Sequence, residues 1–248
     1  MFDLRIDRKV FVATNHTQRV VLRDIAFSIA PAEVIALLGP SGIGKSTTLR
    51  ILLGLDDAFD GQVRRGAART GVMFQEPRLL PWLTVAENLS LVVTDRMPKP
   101  DIAALLDRVR LPNAAGLYPR QLSLGMARRA ALARALAVSP QVLVLDEPFA
   151  SLDAHLAAVL ADVVQRWAHD TGAAVVLATH DLAQALQLAS RLLILAGPPA
   201  TLAADVPVPA GSDAATRTAL HAKLTSQFGF FSSGAPGTGG LPSAPSPD

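Results

Sequence analysis

The sequence predicts an α/β fold built around a mostly parallel β-sheet. Three observations predict it: short apolar runs suited to buried strands, helical patterns between these runs, and polar residues directly after four of them. Half of the 248 residues are hydrophobic and 18% are charged, so the chain can bury a sizeable core. A chain of this length forms one large domain or two small ones.

Five short runs rich in Leu and β-branched residues are typical of buried parallel strands. They are residues 34–38, 72–74, 142–145, 175–177 and 192–195. The segment after Gly44 keeps Leu49, Leu52 and Leu53 on one helical face, and residues 155–168 carry an apolar stripe of the same period. Strands that alternate with helices indicate the predicted fold class.

The run 34–38 leads into GPSGIGKST, which satisfies the phosphate-loop pattern G-x-x-x-x-G-K-[ST] between a predicted strand and a predicted helix. The expected phosphate-binding residues are Gly39, Pro40, Ser41, Gly42, Ile43, Gly44, Lys45, Ser46 and Thr47. Lys45 would reach the β- and γ-phosphates, and Ser46 would ligate Mg²⁺. The alternative interpretation is a glycine-rich turn before a surface lysine.

Polar residues also follow three further strands, where ligands of open α/β sheets bind. Gln75 follows the second run, Asp146 and Glu147 follow the third, and His180 follows the fourth. Asp146 would hold Mg²⁺, and Glu147 would activate or orient the attacking water. The alternatives are an acidic turn or helix cap for the two carboxylates and a structural or surface role for His180.

Ser123 opens a further predicted helix within the stretch LSLGM, residues 122–126. A helix start of this kind binds an anion or is simply capped by its serine, and the residues alone leave both open. Arg128, Arg129 and Arg134 are predicted to be charges on the surface of this helix.

These motifs, in this order, resemble those of the ATP-binding-cassette (ABC) ATPases. The resemblance runs from about residue 25 to residue 196 and includes the phosphate loop, Gln75 in VMFQEP, the signature LSLGM, LVLDEP, the SLD turn and His180. The segment FQEPRLLPWLTVAENL is similar to the corresponding segment of ATPases from bacterial importers of nitrate, sulfonates and taurine.

The resemblance implies a P-loop NTPase of the ABC-ATPase fold, in which the sheet is joined by an N-terminal antiparallel β part and an inserted helical subdomain. One ATPase domain would span residues 1–231. It would comprise a core of 1–76 and 140–205, a helical subdomain of 77–139 and an extension of 206–231. The residues of the extension themselves predict a helix over 214–228. Residues 232–248 are rich in Gly, Pro and Ser, which predicts a disordered tail.

The resemblance further implies that two copies bind ATP and Mg²⁺ between them, head to tail. Ser123 and Gly125 of one copy would contact the γ-phosphate held by the other. Gln75 would contact Mg²⁺ and the γ-phosphate, and His180 would bond to the same phosphate. The family signature is usually LSGGQ, so Leu124 is a departure that is tolerated only if its φ is negative. His16 aligns with the aromatic residue that stacks on adenine, although an ordinary loop residue fits this position equally.

The implied partners are a second copy of the chain, a membrane permease and, through the permease, an external solute-binding protein. The segment PRLLPWL suits a contact with the permease, or it packs the subdomain. The sequence shows no signal peptide and no apolar run long enough for a membrane span, so we expect a soluble protein on the cytoplasmic face of the membrane. A net charge of +2 without a dense basic run gives no support for nucleic-acid binding.

Three classes of function remain open. The leading one is the ATPase subunit of an importer. The second is an ABC-type ATPase of DNA repair or translation, although only 47 residues lie between Gln75 and Ser123, too few for a long coiled-coil insertion. The third is a nucleotide-binding regulator without turnover, which Leu124 and His16 suggest and Lys45 and Glu147 oppose. The absence of cysteine excludes disulfide scaffolds, thiolate metal sites and cysteine nucleophiles.

Overall fold

A computed structural model of the chain describes residues 2–231 apart from 13–16, 67, 95–96, 98, 151 and 210. The strands are β1 (Phe2–Val12), β2 (Gln18–Ile29), β3 (Val34–Leu38), β4 (Asp60–Arg64), β5 (Thr70–Met73), β6 (Val142–Asp146), β7 (Ala174–Thr179), β8 (Arg191–Ala196) and β9 (Thr201–Pro207). The helices are α1 (Lys45–Leu53), α2 (Val85–Ser90), α3 (Ile102–Arg108), α4 (Leu124–Ala137), α5 (Ala154–Thr171), α6 (Leu182–Leu188) and α7 (Ala214–Gln227).

The central sheet has six strands in the order β5-β6-β7-β3-β8-β9. All neighbours pair in parallel except β8 and β9, which are antiparallel. The predicted α/β fold with a mostly parallel sheet is therefore confirmed, and all five predicted runs lie in this sheet. One boundary was wrong, because β5 ends at Met73 and Phe74 turns away to lie 4.3 Å from the guanidinium carbon of Arg78.

A second sheet of three antiparallel strands has the order β2-β1-β4. It supplies the antiparallel β part that the family resemblance implied. Its buried face carries large apolar side chains such as Leu4, Ile6 and Ile25, and this face packs on the core that α1 also covers. The second sheet and α1 therefore cover the same face of the central sheet.

The central strands are buried on both faces, which explains their continuous apolar runs. In β3, Ala36 and Leu38 join a core with α4, α5 and α6, whereas Ile35 and Leu37 join the core shared by α1 and the second sheet. The alternation follows from side chains that point to opposite faces of a strand. The result is a layered molecule in which the carboxyl ends of the strands stay open for a ligand.

The helices α2, α3 and α4 all lie in the chain between β5 and β6, and α4 packs against α2, α3 and β5. Because α4 is enclosed in this way, Arg128 and Arg134 are only 7% and 9% exposed. The prediction that they are surface charges was therefore wrong. Arg134 donates to the carbonyls of Pro77 at 2.8 Å and Arg78 at 2.7 Å. Arg129 is partly buried and donates to the Arg110 carbonyl.

The helix α7 follows the central sheet, ends one residue before the predicted boundary, and packs on α6. The predicted tail, residues 232–248, lies outside the described residues. Across the described part of the chain, none of the helices has the combination of length and apolarity that a membrane span requires.

Candidate functional site

The phosphate loop joins β3 to α1 and opens a cavity of about 190 Å³ at the sheet edge. The cavity is lined by Ser41, Gly42, Gly44, Lys45, Ser46, Thr47, Gln75 and Glu147. Gly44 has a φ of 118°, and a Cβ added to it would lie 2.5 Å from Cδ2 of Leu22. Only glycine fits there, so the loop can wrap tightly around the start of α1.

Lys45 is a buried cation that faces this cavity. It is 5% exposed, and its Nζ donates to the carbonyls of Gly39 at 2.8 Å and Pro40 at 3.2 Å. The Oε1 atom of Glu147 lies 3.5 Å away. Burial lowers the pKa of Lys45, and the negative charges of Glu147 and Asp146 only partly oppose this. An additional anion in the cavity would therefore stabilise the charged lysine.

Asp146 is the last residue of β6 and is 9% exposed. Its Oδ1 atom has no hydrogen-bond partner among the described residues. Burial raises the pKa of Asp146, and a hydrogen bond from Ser46 only partly offsets the effect. A buried carboxylate oxygen without a partner, beside a hydroxyl, is the oxygen donor set that Mg²⁺ prefers. The residues present therefore fit this ion.

Glu147 contacts two other predicted site residues, Lys45 and His180. Its φ of 48° is unusual for a residue other than glycine, and its backbone N–H donates to the Ala178 carbonyl at 2.9 Å. Its Oε2 atom lies 3.0 Å from Nδ1 of His180, while Oε1 faces Lys45. An ionised carboxylate only accepts hydrogen bonds, so Nδ1 of His180 is the donor in this pair.

Gln75 lines the same cavity, two residues beyond the end of β5. The segment that follows it is fixed by two contacts. The guanidinium group of Arg78 lies over the Phe74 ring, and Arg134 of α4 donates to the Pro77 and Arg78 carbonyls. Gln75 thus sits at the junction between the central sheet and the helices that follow.

The signature residues lie outside this cavity. Ser123 caps α4, and its Oγ accepts a hydrogen bond from the Met126 N–H at 3.2 Å. Leu124 is the first residue of α4, has no positive φ and is 55% exposed. Leu124 therefore meets the condition set from the sequence, that its φ is negative. Ser123 and Gly125 do not line the phosphate cavity of their own chain.

His16, the expected adenine-stacking residue, lies outside the described residues. An exposed aromatic ring lies a few residues before it in the chain. Phe11, near the end of β1, is 47% exposed and lies 4.9 Å from Nζ of Lys9.

Comparison with known proteins identifies the family. A family model described as ABC transporter matches residues 22–150. The aliphatic sulfonates import ATP-binding protein SsuB 1 of Pseudomonas syringae pv. syringae is 40% identical over 227 residues, which cover 92% of this chain and 94% of that protein. The protein SsuB 2 of Burkholderia lata, with the same description, is 43% identical over 92% of this chain and 86% of its own length.

Solved structures agree with these sequence matches. The ATP-binding cassette MJ0796, described as a dimer in a post-hydrolysis state bound to ADP and Pi, superposes with a TM-score of 0.77 at 25% identity. The match covers 84% of this chain and 99% of that one. The chain therefore belongs to the ABC transporter family and has the fold of its ATPases.

Proposed function

We propose that this chain is the ATP-binding and ATP-hydrolysing subunit of an ABC importer. The observation that carries the proposal is the cavity where the phosphate loop meets three groups: buried Lys45, Glu147 with its positive φ, and Asp146, whose Oδ1 has no partner among the described residues. Membership of the ABC transporter family supports the same activity. The subunit would bind its permease at the cytoplasmic face of the membrane.

The phosphates of ATP would occupy the phosphate-loop cavity. Their oxygens would replace the Gly39 and Pro40 carbonyls as acceptors for Lys45, and the N-terminus of α1 would favour their negative charge. Ser46, Gln75 and Asp146 would hold Mg²⁺. When bound, this ion neutralises negative charge on the phosphates.

Glu147 would orient the attacking water and accept its proton. The carboxylate is held between Lys45 and His180, and its backbone is fixed by the Ala178 carbonyl, so its position varies little. His180 is 57% exposed on its side chain, which leaves the ring access to a γ-phosphate above Glu147. We propose Glu147, His180 and Gln75 as the groups that act on the terminal phosphate.

The site would be completed by a second copy of the chain. Ser123 accepts a bond through Oγ and so keeps its O–H proton to donate, and Gly125 lies half-buried in the first turn of α4. Because neither residue lines the cavity of its own chain, we propose that they contact the γ-phosphate held by the partner copy. The dimeric state of the cassette MJ0796 supports this arrangement.

We propose the division of the chain set out from the sequence: a core of 1–76 and 140–205, a helical subdomain of 77–139 and an extension of 206–231. Within the subdomain, Trp82 and Leu91 are 69% and 57% exposed. These apolar side chains suit a contact with a permease, which would in turn bind a solute-binding protein outside the cell. We propose no nucleic-acid partner.

The names of the relatives favour aliphatic sulfonates over nitrate as the solute class. The test is to purify the chain with its permease in lipid and measure phosphate release with the solute-binding protein, with and without an alkanesulfonate. We expect stimulation by the sulfonate and none by nitrate. Stimulation by nitrate alone would contradict the solute class.

The variant Glu147→Gln tests the hydrolytic activity itself. We expect the variant to bind Mg-ATP in calorimetry with an affinity close to that of the parent chain, because Lys45, Ser46 and Asp146 remain. Phosphate release should fall at least about 100-fold, the scale of general-base catalysis. Normal turnover would exclude Glu147 as the base.

A further inference from the structure

One arginine of α4 lies buried without a hydrogen-bond acceptor. Arg128 is 7% exposed, and its Nε and Nη1 atoms have no partner among the described residues. The two other arginines of this helix differ from it, because Arg129 and Arg134 donate to backbone carbonyls. A buried cation without acceptors costs folding free energy, so the contacts of Arg128 within the described chain do not explain its presence.

Arg128 lies on the face of α4 that packs on the central sheet. One turn before it, a Cβ added to Gly125 would lie 3.5 Å from Cδ2 of Leu152, in the loop that follows β6. Two turns after it, a Cβ added to Gly71 of β5 would collide with the Ala135 carbonyl. Residues three and seven apart share one face of a helix, so Arg128 lies between these two contacts. The N-terminus of α4 is therefore near the end of β6, where Asp146 lies.

The side chain of Arg128 is directed toward the start of the helix. Long side chains of an α-helix point back toward its N-terminus and lie over the preceding turn. For Arg128 this turn contains Leu124 and Gly125, directly behind the cap Ser123. Leu124 and Met126 are apolar, so the first turn itself offers one hydroxyl and no charged side chain. Arg128 therefore places a positive charge behind a helix start that is otherwise uncharged.

We propose that Arg128 is a further phosphate-binding residue of the dimer that ATP joins, and that it supplies charge where the start of α4 meets the γ-phosphate held by the other copy. This inference rests on the proposed dimer. Anion binding at a helix N-terminus is stronger when a cation lies close by with little water between the charges. The phosphate would also give the guanidinium group the acceptor that it lacks in the single chain. The same side chain therefore destabilises the free chain and stabilises the dimer.

The test uses the full chain with Glu147→Gln as the parent, so that bound ATP is not consumed. In analytical ultracentrifugation with Mg-ATP, Arg128→Met should raise the dissociation constant of the dimer about 100-fold, tenfold for each of its two sites. In calorimetry, Mg-ADP, which has no γ-phosphate, should bind within about twofold of the parent value. The melting temperature of the nucleotide-free chain should rise by about 2–4 °C, because an apolar side chain of similar length replaces a buried cation without acceptors.

Two further variants separate charge from packing. Arg128→Lys keeps the charge and should hold the dissociation constant of the dimer within about threefold of the parent value. The matched control Arg166→Met removes a cation from an exposed pair with Asp162 and should change none of the three measurements. A lower melting temperature or a failure to fold of Arg128→Met, an unchanged dissociation constant, or an equal loss with lysine would overturn the role of Arg128. A parent that binds neither nucleotide would instead refute the proposed function, and a parent that binds Mg-ATP but stays monomeric would refute the proposed dimer.

Discussion

At the scale of single residues, the site holds buried polar groups whose interactions are incomplete. Lys45 is desolvated, with Glu147 3.5 Å away and two neutral carbonyls as its hydrogen-bond acceptors. One oxygen of Asp146 has no partner among the described residues, and Glu147 adopts a left-handed backbone conformation. Each feature costs folding free energy. A nucleotide phosphate and its metal ion would supply the missing partners, so binding and stability are expected to oppose each other at these positions.

Asp146→Asn should raise the stability of the nucleotide-free chain. The pKa of Asp146 is raised in the fold, so its ionisation is disfavoured there relative to the unfolded chain. This cost is absent below the unfolded pKa near 3.8, grows as the pH rises through it, and is complete above the raised folded pKa. At pH 7 we expect the melting temperature to rise by about 2–4 °C, the shift that corresponds to about 1 kcal/mol in a chain of this size.

Two measurements check this prediction. In calorimetric melting, the gain from Asp146→Asn should shrink as the pH is lowered from 7 towards 4. The same variant should lose the dependence of ATP binding on Mg²⁺, because an amide is a poorer ligand for this ion than a carboxylate. A variant that melts lower at pH 7 and keeps its Mg²⁺ dependence would contradict the proposed role of the Asp146 carboxylate.

At the scale of elements, α4 joins two parts of the proposed mechanism. Its N-terminus carries Ser123 and Gly125 at the surface, and its buried Arg134 holds the carbonyls of Pro77 and Arg78 just beyond Gln75. Burial lowers the pKa of Arg134, yet its guanidinium group stays charged and donates both bonds. A movement of α4 would therefore be passed to Gln75 through Arg134.

Arg134→Met should destabilise the chain by about 2–4 kcal/mol, because two hydrogen bonds from a charged donor are lost and two buried carbonyls are left without it. Chemical denaturation measures this loss. Phosphate release should fall in the same variant, because the segment after Gln75 loses its anchor. The control is Arg166→Met, which removes an exposed pair with Asp162 and should change stability by about 0.5 kcal/mol or less. Equal effects of the two substitutions would refute the anchoring role.

The sequence predicted the elements whose pattern is local and missed features set by tertiary contacts. The apolar runs and the glycine-rich loop located β3, β6, β7 and the phosphate loop closely. The burial of Arg134 depends on α2, α3 and β5 around an alanine-rich helix, which no local pattern reveals. The positive φ of Glu147 depends on the Ala178 carbonyl of a neighbouring strand. The burial of Lys9 depends on Asp56, which accepts its hydrogen bond and lies 47 residues away in the chain.

At the scale of the whole molecule, the layers bring four strand ends and the phosphate loop to one edge of the sheet. Lys45, Gln75, Asp146, Glu147 and His180 meet there. The start of α4 remains exposed and contributes nothing to this cavity. Each chain therefore supplies two separate parts of the proposed site: the phosphate-loop cavity and the N-terminus of α4. A complete site would combine the cavity of one copy with the α4 N-terminus of another.

The proposed turnover requires ATP to join two copies of the chain, with the phosphate-loop cavity of one copy facing the start of α4 of the other. The most direct test is analytical ultracentrifugation of Glu147→Gln with Mg-ATP, compared with the same variant that also carries Ser123→Arg. We predict a dimer for the first and a monomer for the second, while calorimetry shows that both bind Mg-ATP through the phosphate loop. A dimer that persists with Ser123→Arg, or a Glu147→Gln chain that stays monomeric with ATP bound, would contradict the account.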